Sequence, residues 1–309
     1  MISRTEIQDA ARRIALHVRR TPVIALEEEA FGINAKIFFK LESLQHAGSF
    51  KPRGAFNCIL SSTVPAAGVI AASGGNHGAA VAYAAQKLSH HAEIFVPVIT
   101  PPNKLNRLRQ YGATINVTGN NYSEALAASR ERAAQTGAIP IHAYDDPCVL
   151  AGQGTLAMEF EEQVRGLDSV LIAVGGGGLI GGAAAWYQDR VRVIGVEPER
   201  APTLHNALSA GKVVEVETGG VAADSLGARR AGELMLPIAQ KFITQSLLVT
   251  DDQIINAQKL LWQSLRLIAE PGGATALAAL ISGVYKPHAG ERVGVVLCGS
   301  NAELSSFPA

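Results

Sequence analysis

"SVLIAVGGGGLIGGAAAWYQ", residues 169–188, joins an apolar run, four consecutive glycines and an alanine-rich stretch. The apolar run has the length of a buried strand, and the alanine-rich stretch has the composition of a helix. Four glycines between them let successive backbone N–H groups approach an anion at the helix N-terminus. Because consecutive glycines lose much backbone entropy on folding, we interpret Gly175, Gly176, Gly177 and Gly178 as a phosphate-binding turn.

Six further runs resemble this strand and alternate with helical stretches. They are residues 68–73, 92–97, 113–119, 138–143, 191–197 and 292–299. Continuous apolar strands separated by helices indicate parallel sheets that are buried on both faces. The predicted fold class is therefore α/β, with two doubly wound domains of mainly parallel strands and with ligands at the carboxyl ends of the strands.

The composition argues against several classes of function. The chain has 309 residues with 27 basic and 27 acidic side chains, so no charge pattern indicates nucleic acid or an anionic membrane. No apolar run reaches the about 18 residues that cross a membrane, and residues 1–18 have the pattern of an amphipathic helix. Cys58, Cys148 and Cys298 lack the spacing of a zinc site. We expect a cytoplasmic protein with a small-molecule ligand, no nucleic-acid partner and no membrane partner.

A second interpretation of the glycine turn is a dinucleotide site. Gly176, Gly178 and Gly181 satisfy the pattern G-x-G-x-x-G, and Glu197 follows at the end of the next strand, about 20 residues after the first glycine. This pattern is typical of nicotinamide-dependent dehydrogenases. It gives no role to Lys51, which is the reason to prefer another interpretation.

Lys51 lies in "QHAGSFKPRGAFN", residues 45–57, directly before a proline that is expected to be the first residue of a helix. A helix N-terminus and partial burial both disfavour the ammonium form, which makes the amine a usable nucleophile and base. An activated lysine together with a cradle for one phosphate is what pyridoxal 5′-phosphate requires.

Five segments, in order, resemble the signature segments of fold-type II pyridoxal-phosphate enzymes. They are "SFKPRGAFN", "SGGNHGAAVAYAA", "VGGGGLIGG", "EPGGATALAAL" and "VVLCGSN". The chain is most similar to the serine/threonine dehydratase and serine racemase group, of the short catabolic type without a regulatory domain. The resemblance implies a tryptophan synthase β-like fold and a homodimer. We expect a large cofactor-binding domain of residues 1–44 and 145–309, and a small inserted α/β domain of residues 45–144.

The resemblance also implies a role for each matching residue. Lys51 would bind the cofactor covalently and take the proton from the substrate Cα, while Phe50 would cover one face of the ring. Asn76 would bond the ring 3′-oxygen, Cys298 would lie beside the pyridine nitrogen, and the glycine turn would hold the phosphate. The substrate carboxylate would be bound by the loop made of Ser73, Gly75, Asn76 and His77. Gly227, in the segment 221–230, would lie near the ring.

The activity expected from this resemblance is elimination of the β-hydroxyl of L-threonine- or L-serine-type amino acids, which gives a 2-oxo acid and ammonia. The alternatives are amino-acid racemisation, dehydration of a larger substrate such as phenylserine or hydroxyaspartate, and a non-enzymatic amino-acid sensor. Racemases of this group carry a serine immediately after the residue that matches Ser73, where this chain has Gly74.

A metal site is not expected. Metal-dependent members of the group carry a glutamate, a small residue four positions later and an aspartate six positions later. Here these positions are Glu197, Ala201 and Thr203. Since divalent cations prefer several carboxylate oxygens, the missing aspartate indicates that Glu197 begins a helix or forms a salt bridge instead.

Overall fold

The strands form two sheets in the computed structural model, which describes residues 1–27 and 29–302. The six-stranded sheet contains, in spatial order, β1 (Val23–Ala25), β2 (Ala35–Leu41), β10 (Glu291–Leu297), β7 (Ser169–Ala173), β8 (Arg192–Pro198) and β9 (Ile243–Val249). The four-stranded sheet contains β5 (Thr114–Val117), β4 (Ala92–Val96), β3 (Val69–Ala72) and β6 (Ile139–Pro140). Strand β1 is antiparallel to β2, and the other neighbouring strands are parallel. The predicted α/β class with mainly parallel sheets is confirmed.

Helices follow the strands, as parallel connections require. In chain order they are α1 (Arg4–Ile14), α2 (Pro52–Leu60), α3 (Asn76–Lys87), α4 (Pro102–Gln110), α5 (Tyr122–Thr136), α6 (Pro147–Gln163), α7 (Gly178–Tyr187), α8 (Thr203–Ala210), α9 (Ala223–Leu226), α10 (Leu236–Phe242), α11 (Asp251–Leu265) and α12 (Pro271–Ile281). The helix predicted at the start of the chain is α1, which a Ser3–Glu6 capping box begins. Within the described ranges, no helix combines the length and apolarity needed to cross a membrane.

Each of the seven apolar runs that indicate a strand contains a strand in the structure. The sequence did not predict β1, β2 and β9. Strand β2 has the sequence "AKIFFKL", in which two lysines interrupt the run of apolar residues. Lys40 is nevertheless fully buried, because its ammonium binds Glu159 Oε1 at 2.5 Å and Thr21 O at 2.8 Å. Tertiary ion pairing of this kind cannot be read from the pattern along one strand.

Separate groups of buried side chains cover the two sheets. The largest contains Phe39, Leu171 and Val295 from the six-stranded sheet, and a second contains Val69 and Ile94 from the four-stranded sheet. Every strand of the smaller sheet lies within residues 45–144, the segment expected to form the inserted domain. We propose that the domain boundaries lie at residues 44 and 144.

A buried ionic network fixes helix α2. Arg53 donates to Glu42 through Nε and Nη2, each at 2.7 Å, and to Glu159 at 3.1 Å. Arg53 is 1 % exposed, so removal of one partner would leave a buried charge uncompensated. The network thereby holds the helix that begins directly after Lys51.

Candidate active site

Lys51 precedes the first residue of α2, as the position of Pro52 predicted. Its side chain is partly buried, and Nζ donates to Ala143 O at 2.7 Å and lies 5.1 Å from the centre of the Phe50 ring. Burial lowers the pKa of Lys51 to about 8, against the opposing effects of Cys298 and Glu270. An unprotonated amine is therefore accessible near neutral pH.

The glycine turn lies between β7 and α7. Gly177 has a φ of 91°, a left-handed conformation that favours glycine. The carbonyl oxygens of Gly175 and Gly176 are bonded away from the turn, to Thr203 Oγ1 at 2.5 Å and to Gly232 N at 3.0 Å. Within the described residues, the backbone N–H groups of positions 175–178 have no protein acceptor. Such a set of free donors at a helix N-terminus fits a phosphate.

Tyr144 connects the glycine turn to Lys51. A methyl group built on Gly176 would lie 2.4 Å from the Tyr144 ring, so the turn packs directly on this side chain. The preceding residue, Ala143, accepts the Lys51 hydrogen bond through its carbonyl oxygen. Lys51 and the glycine turn thus both contact the pair Ala143–Tyr144, and we refer to this region as the cleft. Tyr144 was not predicted, because no motif in the sequence marks it.

The loop between β3 and α3 contains the residues expected to bind a substrate carboxylate. Gly75 N donates to Ser73 Oγ at 3.2 Å, and α3 begins at Asn76. The backbone N–H groups of Asn76 and His77 have no acceptor in the described part of the chain. The His77 ring turns elsewhere, since Nε2 bonds Ile141 O at 2.9 Å and burial lowers its pKa to about 3. Any carboxylate binding by His77 would therefore use its backbone.

Asn76 is held by two side chains that were not predicted. Its Nδ2 donates to Glu270 Oε1, and its Oδ1 accepts from Asn301 Nδ2, both at 2.6 Å. Glu270 precedes α12 and is 4 % exposed. Burial raises the pKa of Glu270 to about 7, against the hydrogen bond from Asn76. The segments containing Glu270 and Asn301 were both recognised as motifs, but only the tertiary fold brings these side chains to Asn76.

Cys298 follows β10 and lies next to Phe50. Its Sγ donates to Gly272 O at 3.4 Å, and its carbonyl oxygen accepts from Phe50 N at 3.1 Å. Burial raises the pKa of the Cys298 thiol, so the thiol is neutral at physiological pH. The structure thus brings Phe50, Lys51 and Cys298 together.

The segment 221–230 covers the glycine turn through Leu226. A methyl group built on Gly175 would lie 3.1 Å from Leu226 Cα. Gly227 follows Leu226 at the end of α9, and a methyl group built there would meet Ala223 O at 2.1 Å. Leu226 is therefore the residue of this segment that contacts the turn directly.

Glu197 lies near the end of β8, and its side chain caps the N-terminus of helix α8. Its carboxylate accepts from Leu204 N and His205 N at 2.7 Å, and from Thr203 Oγ1 at 3.0 Å and Ser246 Oγ at 3.2 Å. Its two oxygens are thus occupied by protein donors and are not available to a ribose. This use of Glu197 removes the acidic residue on which the dehydrogenase interpretation depended.

Two observations indicate that the residues of the cleft suit pyridoxal phosphate. The free N–H groups of positions 175–178 suit a phosphate, and the low pKa of Lys51 suits covalent attachment to an aldehyde. The neutral thiol of Cys298 places no formal charge beside them.

Comparisons with known proteins agree with this fit. A family model described as "Pyridoxal-phosphate dependent enzyme" matches residues 14–299. The L-threonine ammonia-lyase of Geobacter sulfurreducens is 37% identical, over 99% of this chain and 77% of the relative. The beta-hydroxyaspartate dehydratase of Paracoccus denitrificans is 34% identical, over 97% of this chain and 96% of the relative. Maize serine racemase has a similar structure, with a TM-score of 0.93 and 32% identity over 98% of this chain and 95% of the other.

The chain belongs to the pyridoxal-phosphate-dependent enzyme family. Within this family it is of the fold-type II, threonine/serine dehydratase type, and it is a lyase that uses pyridoxal phosphate. The expected family and cofactor are confirmed. The nicotinamide-dependent dehydrogenase was the wrong interpretation of the glycine pattern.

Proposed function

We propose that this enzyme removes the β-hydroxyl of an L-threonine- or L-serine-type amino acid and releases a 2-oxo acid and ammonia. The observation that carries the proposal is the position of Lys51. Its amine lies in the cleft of the glycine turn and has a pKa of about 8. The name of the Geobacter relative, L-threonine ammonia-lyase, supports threonine as a substrate.

Each residue of the cleft has a proposed task. The N–H groups of positions 175–178 would hold the cofactor phosphate, and Phe50, which lies beside Lys51, would pack on the cofactor ring. Asn76, which Glu270 orients, would bond the ring oxygen of the cofactor. The Ser73 hydroxyl and the N–H groups at the start of α3 bind the substrate carboxylate, and the Gly75 N–H joins them when it releases Ser73 Oγ.

Proton transfer is assigned to Lys51. Pyridoxal phosphate, when bound, supplies an aromatic ring that withdraws electron density from the substrate Cα. Lys51 Nζ takes the Cα proton, which its lowered pKa permits near neutral pH. The electron pair left at Cα forms a Cα–Cβ double bond as the β-hydroxyl leaves with a proton as water. The enamine product rearranges to an imine, and a second water hydrolyses the imine to the 2-oxo acid and ammonia.

Cys298 favours elimination over reactions that require a long-lived carbanion. Because the pKa of its thiol is raised by burial, it supplies no negative charge to a pyridine nitrogen. A ring without such a partner withdraws electrons less strongly than one paired with a carboxylate. Departure of the β-hydroxyl removes the excess electrons at once, so a moderate electron acceptor is sufficient.

β-Hydroxyaspartate is a second candidate substrate, because of Arg107 on α4. Arg107 is half-buried and has no ion-pair partner in the described ranges, whereas its neighbour Lys104 pairs with Asp224. Both cations act on Glu270 in the cleft and oppose the rise of its pKa to about 7 that burial causes. A cation without an ion-pair partner that acts on Glu270 suits a substrate with a second carboxylate, as the name of the Paracoccus relative also suggests.

A steady-state assay of 2-oxo acid formation tests both candidates on L-threonine, L-serine and β-hydroxyaspartate. If hydroxyaspartate is the substrate, Arg107→Gln raises its KM by about tenfold or more, while Arg109→Gln, an exposed control on the same helix, leaves it unchanged. If threonine or serine is preferred, both variants react normally. No 2-oxo acid from any of the three would refute the dehydratase proposal.

For assembly and location we propose a homodimer in the cytoplasm. The support is the family resemblance for the dimer, and the unpaired, odd number of cysteines for a reducing compartment. Sedimentation equilibrium of the purified holoenzyme and fractionation of the source cells test the two statements separately.

A further inference from the structure

Two cysteines and an aspartate form a cluster outside the active-site cleft. The Sγ atoms of Cys58 and Cys148 and a carboxylate oxygen of Asp146 all lie within 4.8 Å of one another. Cys58 is buried in the last turns of α2, and Cys148, the second residue of α6, is partly exposed. None of these side chains has a task in the proposed reaction.

The helices that carry the two cysteines touch through their backbones. Gly54 lies four residues before Cys58, and Gly152 lies four residues after Cys148, so each glycine shares a helix face with its cysteine. A methyl group built on Gly152 would lie 2.7 Å from Gly54 Cα. Asn57 Nδ2 also donates to Cys148 O at 2.7 Å. A disulfide requires a Cα separation of about 4.4–6.8 Å, which demands a close backbone approach of this kind.

The two thiols are chemically unequal. A hydrogen bond from Cys58 lowers the pKa of Cys148 below the usual range of a thiol, and the Ser61 hydroxyl, 3.4 Å away, acts in the same direction. The same hydrogen bond, together with burial, raises the pKa of Cys58. The partly exposed Cys148 is therefore more readily deprotonated than the buried Cys58.

We propose that Cys58 and Cys148 are a reversible redox pair, in which a peroxide oxidises Cys148 and Cys58 then closes an intramolecular disulfide. The Cys148 thiolate attacks one peroxide oxygen, the O–O bond breaks, and hydroxide leaves with the electron pair. The Cys58 sulfur next attacks the sulfenyl sulfur, the S–O bond breaks, and the Cys58 proton leaves with the oxygen as water. In sum, two thiols and one hydrogen peroxide give one disulfide and two waters.

A bound metal ion is a weaker explanation of the same cluster. One oxygen of Asp146 already accepts from Cys148 N at 2.7 Å, as the N-cap of α6. Arg13, whose guanidinium binds Asn57 Oδ1 at 2.5 Å, acts electrostatically on both thiols. A nearby positive charge stabilises a thiolate but repels a cation. Oxidation requires neither a free aspartate nor the absence of Arg13.

The test is oxidation of the holoenzyme with a small excess of hydrogen peroxide, followed by non-reducing peptide mapping. We expect loss of two free thiols per chain, a linked peptide pair containing Cys58 and Cys148, and full recovery of both thiols with dithiothreitol. Before oxidation, iodoacetamide at neutral pH should alkylate Cys148 at least about tenfold faster than Cys58.

Matched variants separate the two steps. In Cys58→Ser, peroxide should still oxidise Cys148, and dimedone should trap the sulfenic acid. In Cys148→Ser, Cys58 should stay reduced at the same peroxide concentration. Oxidation of wild-type Cys148 to sulfinic acid with Cys58 still free would overturn the proposal. So would stoichiometric Cd²⁺ binding by the reduced holoenzyme that is lost in Asp146→Asn, because the cluster would then be a metal site.

Discussion

Asn76 Nδ2 donates to Glu270 Oε1 at 2.6 Å, although the two residues are 194 positions apart in the chain. Asn76 begins α3, which packs on the four-stranded sheet, and Glu270 precedes α12, which packs on the six-stranded sheet. The hydrogen bond therefore connects a helix on the four-stranded sheet to a helix on the six-stranded sheet. Burial raises the pKa of Glu270 to about 7, so its protonation state changes near physiological pH.

Glu270→Gln should stabilise the apoprotein above neutral pH. Since the pKa of Glu270 is raised from 4.5 to about 7, the folded state binds more protons than the unfolded state between these values. Stability from this group is complete below the unfolded pKa and is lost as the pH rises through about 7. The glutamine variant avoids this loss, which amounts to up to about 3 kcal/mol of the free energy of unfolding. Its side-chain oxygen can still accept the hydrogen bond from Asn76.

Chemical denaturation of the apoprotein at about pH 5 and about pH 8 measures the difference. We expect Glu270→Gln to gain stability over wild type mainly at the higher pH. Glu199→Gln, an exposed control, should show no such gain. Equal stability of Glu270→Gln and wild type at both values would mean that the carboxyl group has an ordinary pKa.

Lys51 should carry the cofactor. Borohydride reduction of the holoenzyme followed by peptide mapping should find the pyridoxyl group on Lys51. Lys51→Ala should lose at least about 10²–10⁴ in turnover, since the base is removed, while the exposed Lys87→Ala control stays active. A pyridoxyl group on any other lysine would disprove the assignment.

The lowered pKa of Lys51 can be measured without turnover. In the apoprotein, Lys51 should react with an acylating reagent at about pH 8, where ordinary lysines remain almost fully protonated. The direction follows from burial, which favours the neutral amine. Competitive labelling of all lysines, read by mass spectrometry, would contradict this expectation if Lys51 labelled only above the pH required by Lys87.

The parts of the fold that could be predicted are those with a local signal. Glycines after apolar strands marked the turn at 175–178, and Pro52 marked the start of the helix after Lys51. Strand β2 was missed because Lys40 is buried through partners on other elements. The same reason explains Glu270, Tyr144 and the Cys58–Cys148 pair, whose environments arise from contacts between segments far apart in the chain.

Activity should not depend on a divalent cation. The Glu197 carboxylate is already bonded by four protein donors, and Thr203 occupies the position of the aspartate expected in metal-dependent members. A chelator should leave turnover unchanged. Loss of most activity, with recovery on added Mg²⁺ or Ca²⁺, would show that other oxygens replace the missing carboxylate.

Thr203→Asp should create a cation requirement. Thr203 is fully buried, and its Oγ1 bonds both Gly175 O and Glu197, so a carboxylate here would face another carboxylate and a carbonyl oxygen. Without metal, we expect the free energy of unfolding to fall by about 1–3 kcal/mol. Added Ca²⁺, which prefers such oxygen ligands, should restore it. Thr203→Val, the control, should be destabilised to the same extent with and without Ca²⁺.

Gly74 lies at the position where racemases of this group carry a serine. Glycine has no side-chain proton donor, and Lys51 is the base that we assign to proton removal. A positioned acid or base is worth about 10²–10⁴ in rate, so reprotonation on the other face should be slow here. Wild-type enzyme should therefore convert L-serine or L-threonine to 2-oxo acid with little D-enantiomer.

A variant at this position requires a change at Thr100 as well. A methyl group built on Gly74 would lie 2.8 Å from Thr100 Cγ2, so Gly74→Ser alone would displace the loop or Thr100. The double variant Gly74→Ser with Thr100→Ala removes this overlap, and Thr100→Ala alone is its control. We expect the double variant to raise the ratio of D-amino acid to 2-oxo acid by at least about tenfold over that control. Chiral chromatography beside a 2-oxo acid assay measures both products. If wild-type enzyme formed D-amino acid as fast as 2-oxo acid, another group would serve that face, and the racemase would replace the dehydratase as the proposed function.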